Sequence, residues 1–221
     1  MWSYKKFFYK DEQKRGSVSK NRKATLKDST DQLVEIFSKT KRNVNHIYEG
    51  FYQNKIRQLE DAERECSSLT RDIKILMNQL IEINTGDKEE DKTIKSMISA
   101  TSHLERIQEN IEVLISTTKS MLKEGLPFTN KAVRDISHLY EAFYSILGDT
   151  ADSIITKNDT LINHIIKNID LSRKDAGQYA TEHEERLISG VCSPKSASLY
   201  LKMLDSFTEA MRHTKRIIQT L

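Results

Sequence analysis

Residues three or four apart share one face of a helix, so Glu105, Glu109 and Glu112 form an acidic ridge wherever the chain around them is helical. At the same spacing 103 positions later stand Thr208, Arg212 and Lys215, with His213 adjoining, and the ridge has become basic. Guanidinium, ammonium and imidazole groups on one face suit an anion or an acidic partner surface, which makes Arg212, His213 and Lys215 a candidate anion or partner site. The rest of the chain offers little for catalysis. Histidines stand at 46, 103, 138, 164, 183 and 213, without the His-Glu-x-x-His or Cys-x-x-Cys spacing of a zinc site. His183-Glu184-Glu185 supplies acid/base groups but has no nucleophile or glycine loop beside it, so the sequence predicts no enzyme.

The elements that must position these ridges read as one helix written twice, Ser102 to Leu114 and Asp205 to Ile217. The apolar register survives the offset of 103: Leu104 corresponds to Phe207, Ile107 to Ala210, Leu114 to Ile217 and Ile115 to Ile218. Other apolar stripes at three- and four-residue steps predict a first helix over 25–53 and a second from Ile56 to Ile83, ended by Asn84-Thr85-Gly86. A charged loop from Asp87 to Lys92 then leads into a third helix over 93–123, stopped by Gly125 and Pro127. The fourth begins after Phe128 and runs towards Lys157, with Gly148 expected to bend or loosen it. A fifth is predicted over 159–188, and a sixth opens at Ser193-Pro194, a cap followed by a proline tolerated in the first turn. The expected fold is all-α, two tandem antiparallel three-helix bundles over 25–124 and 128–221.

Bulk composition agrees. Two Pro and seven Gly in 221 residues leave few helix breakers, and 37% hydrophobic against 30% charged residues suits helices that each bury one stripe. Cys66 and Cys192 are the only cysteines, which argues against a disulfide framework or a redox role and for a reducing, cytoplasmic setting. No run of eighteen apolar residues is present to span a bilayer. Residues 1–23 carry eight basic and two acidic side chains, a charge of +6 that leaves 3 − 6 = −3 for the remainder. Trp2, Tyr4, Phe7, Phe8 and Tyr9 are interleaved with those charges. Residues 1–24 are therefore expected to be either a solvated tail or a juxtamembrane anchor at the inner face of the cell membrane, rather than a nucleic-acid arm.

Two motifs resemble a known family. Leu104-Glu-Arg-Ile-Gln-Glu-Asn-Ile111 is similar to the Leu-Glu-Arg-Ile-Gly-Asp-His signature of PhoU-like proteins, regulators of phosphate uptake built from two three-helix repeats. His183-Glu-Glu-Arg-Leu-Ile-Ser-Gly190, with the Ser-Pro turn and Arg212-His-Thr-Lys-Arg-Ile217, resembles the end of the PhoU-like cytosolic domain of sodium/phosphate cotransporters. The resemblance implies a non-catalytic regulator that docks to a phosphate transporter or sensor, or forms the cytosolic part of a cotransporter, and it admits a homodimer. It also implies iron, zinc or nickel on an acid-x-x-x-acid motif in each third helix. Glu105 and Glu109 keep the first motif, though Asn110 stands where the family often has His. Thr208 and Arg212 replace the second, where a guanidinium repels a cation, so at most one degenerate metal site is expected. The rival expectation is a structural bundle with no phosphate role, dimerising through the near-heptad stripe of the second helix.

Overall fold

The computed structural model describes residues 25–83 and 86–221; the basic, aromatic segment 1–24 lies outside them. Six helices follow one another: α1 (Leu26–Tyr52), α2 (Ile56–Glu82), α3 (Lys88–Lys123), α4 (Asn130–Thr156), α5 (Asp159–Ile188) and α6 (Pro194–Thr220). No strand occurs among the described residues.

Local chemistry starts these helices where the backbone needs partners. Thr25 and Asp28 close a capping box on α1, and Thr129, Asn158 and Ser193 accept backbone N–H groups at the starts of α4, α5 and α6. The charged run after Gly86 is not a loop as its composition suggests. The Asp87 carboxylate accepts from the backbone N–H groups of Glu89 and Glu90, and acids at 89, 90 and 91 favour the positive end of the helix dipole, so α3 begins at Lys88.

Helices α1–α3 pack as one bundle and α4–α6 as a second; α1 meets α4, α3 meets α6, and α2 and α5 touch only their own bundle among the described residues. The duplication is legible in burial. All ten buried residues of α1, from Ser29 to Phe51, have a buried counterpart 103 positions later in α4, from Ala132 to Ile154. In α5, Ile165, Ile169, Ser172, Ala176 and His183 repeat Ala62, Cys66, Leu69, Ile73 and Leu80 of α2. Phe207, Ala210, Ile217 and Ile218 repeat the expected stripe of α3, so α3 and α6 are matched rods facing each other. At the centre Tyr140 and Phe207 meet edge to face at 4.7 Å.

Gly148 does not interrupt α4, which runs through it as one helix. A Cβ there would lie 2.6 Å from the Lys41 ammonium, so its smallness leaves room for the end of that side chain. Gly50 does the same for α2, since a Cβ would meet Leu59 Cδ2 at 2.7 Å.

Candidate functional site

The two predicted ridges turn away from the α3–α6 seam, the acidic one towards α2 and the basic one towards α5. On α3 the exposed Glu109 accepts two hydrogen bonds from Arg106, each 2.9 Å. At the corresponding positions of α6 the polarity is exchanged: Arg212 donates to Glu209 at 2.9 and 2.6 Å. Those bonds hold the Glu209 carboxyl below its ordinary range. An ion pair three residues apart has thus been kept while its charges swapped places. Lys215 turns to α5, donating to both Asp170 oxygens at 2.7 and 2.8 Å.

His213 takes a different course from its neighbours and reaches across to His103 on α3, the two Nδ1 atoms standing 3.0 Å apart. Arg212 Nη2 lies 3.1 Å from His213 Nε2. A guanidinium can only donate, so Nε2 accepts, His213 Nδ1 carries the proton, and His103 Nδ1 receives it. Burial, together with Arg216 and Arg212, pushes His103 below the usual imidazole range; burial and Arg212 do the same for His213. Arg212, His213 and Lys215 are close in sequence, yet Arg212 donates to Glu209 and His213, His213 to His103, and Lys215 to Asp170.

The acidic side is similarly redistributed. Glu63, Glu109 and Glu112 line a cleft of about 500 Å3 between α2 and α3, whereas Glu105 lies outside its lining. Buried Cys66 has its sulfur 3.4 Å from Gln108 Oε1 and 3.9 Å from Glu112 Oε1. Burial first, and then Glu112, pushes its thiol up to about 12, a position of packing rather than reactivity.

Neither a protein-family model nor a curated protein matches the sequence. Solved structures do: the crystal structure of PhoU from Pseudomonas aeruginosa superposes with a TM-score of 0.75 at 14% identity, covering 88% of this chain and 94% of that one. The fold is PhoU-like. At such identity the likeness concerns the backbone, and the side chains must be judged on their own.

They do not suit the multinuclear metal cluster that the family resemblance implies. Arg106 occupies both oxygens of Glu109, and Asn110 turns back to bond the Arg106 carbonyl at 2.8 Å. Among the described residues no three His, Cys, Asp or Glu side chains are grouped as cation ligands.

One polar centre of this PhoU-like bundle escaped the sequence entirely. Asp135 of α4 is 3% exposed, accepting from Tyr200 Oη of α6 at 2.9 Å and Lys131 Nζ at 2.5 Å. The Arg186 guanidinium stands 3.8 Å away, and His183 lies over the Tyr200 ring at 4.4 Å. Burial, then the Asp135 charge, drives the Tyr200 hydroxyl well above its ordinary range, so it stays a donor. Asp135 sits between Ala132 and Leu139 on the core face, a placement that could have flagged it.

Proposed function

We propose that this chain is a non-catalytic regulatory module of phosphate transport, docking to a phosphate transporter or sensor or forming the cytosolic part of a sodium/phosphate cotransporter. One observation carries the proposal: two matched bundles joined at α3 and α6, an arrangement shared with PhoU at a TM-score of 0.75 over 88% of this chain. Rigid rods of 27 to 36 residues present a wide polar face, and the oppositely charged ridges of α3 and α6 give that face a direction. Residues 1–24 are proposed to hold the bundles at the inner membrane surface, through aromatic and lysine side chains.

Within this proposal Glu105 and Glu109 are at most one residual site for iron, zinc or nickel. No helix among the described residues is long and apolar enough to cross a membrane, so membrane contact would be peripheral or supplied by a flanking segment. The rival dimerising bundle gains no support from α2. Leu59, Ala62, Cys66, Leu69, Ile73, Leu76 and Leu80 are all buried inside the first bundle, which leaves that stripe unable to pair chains. A homodimer must use another surface.

Deleting the coding sequence in its host and following phosphate uptake tests the proposal directly. A changed uptake rate, restored by the full chain, is expected; uptake indifferent to the deletion would sink it. Elemental analysis of the purified protein and of its Glu105→Ala/Glu109→Ala variant tests the metal site separately.

A further inference from the structure

A cleft of about 530 Å3 opens at the end of the molecule where α1 starts, lined by residues of α1, α3, α4, α5 and α6. Buried Leu33, Met97, Ile154 and Ile218 line it together with half-buried Ile162 and with Leu221, which is 40% exposed. An apolar recess open to water marks a place where another apolar group is taken up. Its rim is acidic. Glu89 and Asp159 belong to the lining, and with Asp87, Glu90 and Asp91 at the start of α3 the acids outnumber the neighbouring Lys88, Lys92 and Lys157.

Thr30, also in the lining, is five positions from Thr25, where segment 1–24 joins α1. The sequence of that segment has what the cleft lacks: Trp2, Tyr4, Phe7, Phe8 and Tyr9, and a charge of +6 against −3 for the remainder. Tyr9 stands 16 positions from Thr25, and at about 3.3 Å per extended residue that tether spans up to about 50 Å. Reaching the cleft takes a small part of it. A second apolar cleft, lined by Phe51, Met121 and Phe128, lies at the far end of α1 and has Lys123 as its only charged residue, of the segment's own sign. At about 1.5 Å per helical residue it is on the order of 40 Å from Thr25, which would draw the tether nearly taut.

We propose that the N-terminal segment of this chain docks in the cleft beside the start of α1, with aromatic rings on its apolar walls and basic side chains against Glu89 and Asp159. The tether makes docking intramolecular, so modest contacts suffice. Docking and the membrane contact proposed above use the same aromatic side chains, so they exclude each other: the segment covers the cleft in solution and leaves it at a lipid surface. The docking itself does not depend on the membrane reading.

Trp2 is the only tryptophan, so its fluorescence reads the segment alone. On the full chain without lipid, its emission should be blue-shifted and its quenching by acrylamide slower than for the same chain in urea. Ile162→Glu/Leu221→Glu puts two charges on the accessible walls and should move both readings to the urea values while circular dichroism keeps the native helix. A benzophenone introduced as Phe8→p-benzoylphenylalanine should cross-link within one chain to the cleft residues of α3 or α6, a result that needs no change to the cleft. Trp2 as accessible as in urea, cross-links that map elsewhere or only between chains, or a folded double variant with Trp2 still protected, each overturns the proposal. Protection that appears only when anionic phosphatidylserine vesicles are added overturns it as well, and leaves the membrane reading standing.

Discussion

His103 and His213 are 110 positions apart in the chain, yet their Nδ1 atoms meet at 3.0 Å across the seam that joins the two bundles. The contact requires both rings to be neutral, because a second proton would set two N–H groups against each other. An unfolded chain takes up protons near pH 6.5, before the folded pair, whose affinity is depressed by burial and by Arg212 and Arg216. The stabilising difference is thus complete above about pH 6.5 and is lost as pH falls from there through the folded values. Tm should decline between pH 7 and pH 5, and His103→Gln/His213→Gln should flatten that decline. His183, also depressed by burial and Arg186, should leave a residual slope. An identical pH dependence in the double variant would refute the assignment.

Tyr200→Phe isolates the buried centre of the second bundle. The ring and its stacking with His183 remain while the 2.9 Å hydrogen bond to Asp135 is lost. A hydrogen bond to a charged group contributes about 1.5–3 kcal/mol, and urea unfolding should show a loss of that order. A loss below about 0.5 kcal/mol would mean that Lys131 and Arg186 satisfy the carboxylate unaided.

The all-α fold was legible because its signals are local or periodic. Stripes such as Leu104, Ile107 and Leu114 mark a buried face within a single helix, and Ser193-Pro194 announces a helix start by itself. The duplication was legible because Phe207, Ala210 and Ile217 repeat that stripe. What the sequence hid depends on pairing across space. Asp135 stands on the core face of α4, but its partner Tyr200 lies 65 positions away and no local spacing joins the two. The inverted ridge was visible, but not that Arg212 would be held by Glu209 and Lys215 by Asp170, because charge tells nothing of rotamer.

Two glycines should respond oppositely to alanine. Within a helix, Gly→Ala gains about 0.5–1 kcal/mol from propensity and unfolded-state entropy. Gly177 of α5 has nothing within 4 Å of a Cβ, so Gly177→Ala should stabilise by about that amount. At Gly50 the Cβ would press on Leu59 Cδ2 at 2.7 Å and Cγ at 2.8 Å, both buried in the first bundle. Overpacking costs about 1–3 kcal/mol and outweighs the propensity gain. Thermal denaturation of the two variants should move Tm in opposite directions; a stabilised Gly50→Ala would show that α2 can shift away from α1.

The basic ridge can be reversed without dismantling the fold. Arg212 and Lys215 lie at the surface in ion pairs with Glu209 and Asp170, and such pairs contribute about 0–1 kcal/mol each. Arg212→Glu/Lys215→Glu should therefore keep its helix content and lose only a few degrees of Tm, mainly from new repulsion with the former partners. Its binding to an acidic transporter surface or to phosphate should fall by tenfold or more, and wild-type binding should weaken as salt is raised. Equal binding by the variant would remove Arg212, His213 and Lys215 from the docking face and leave the acidic ridge of α3 to carry it.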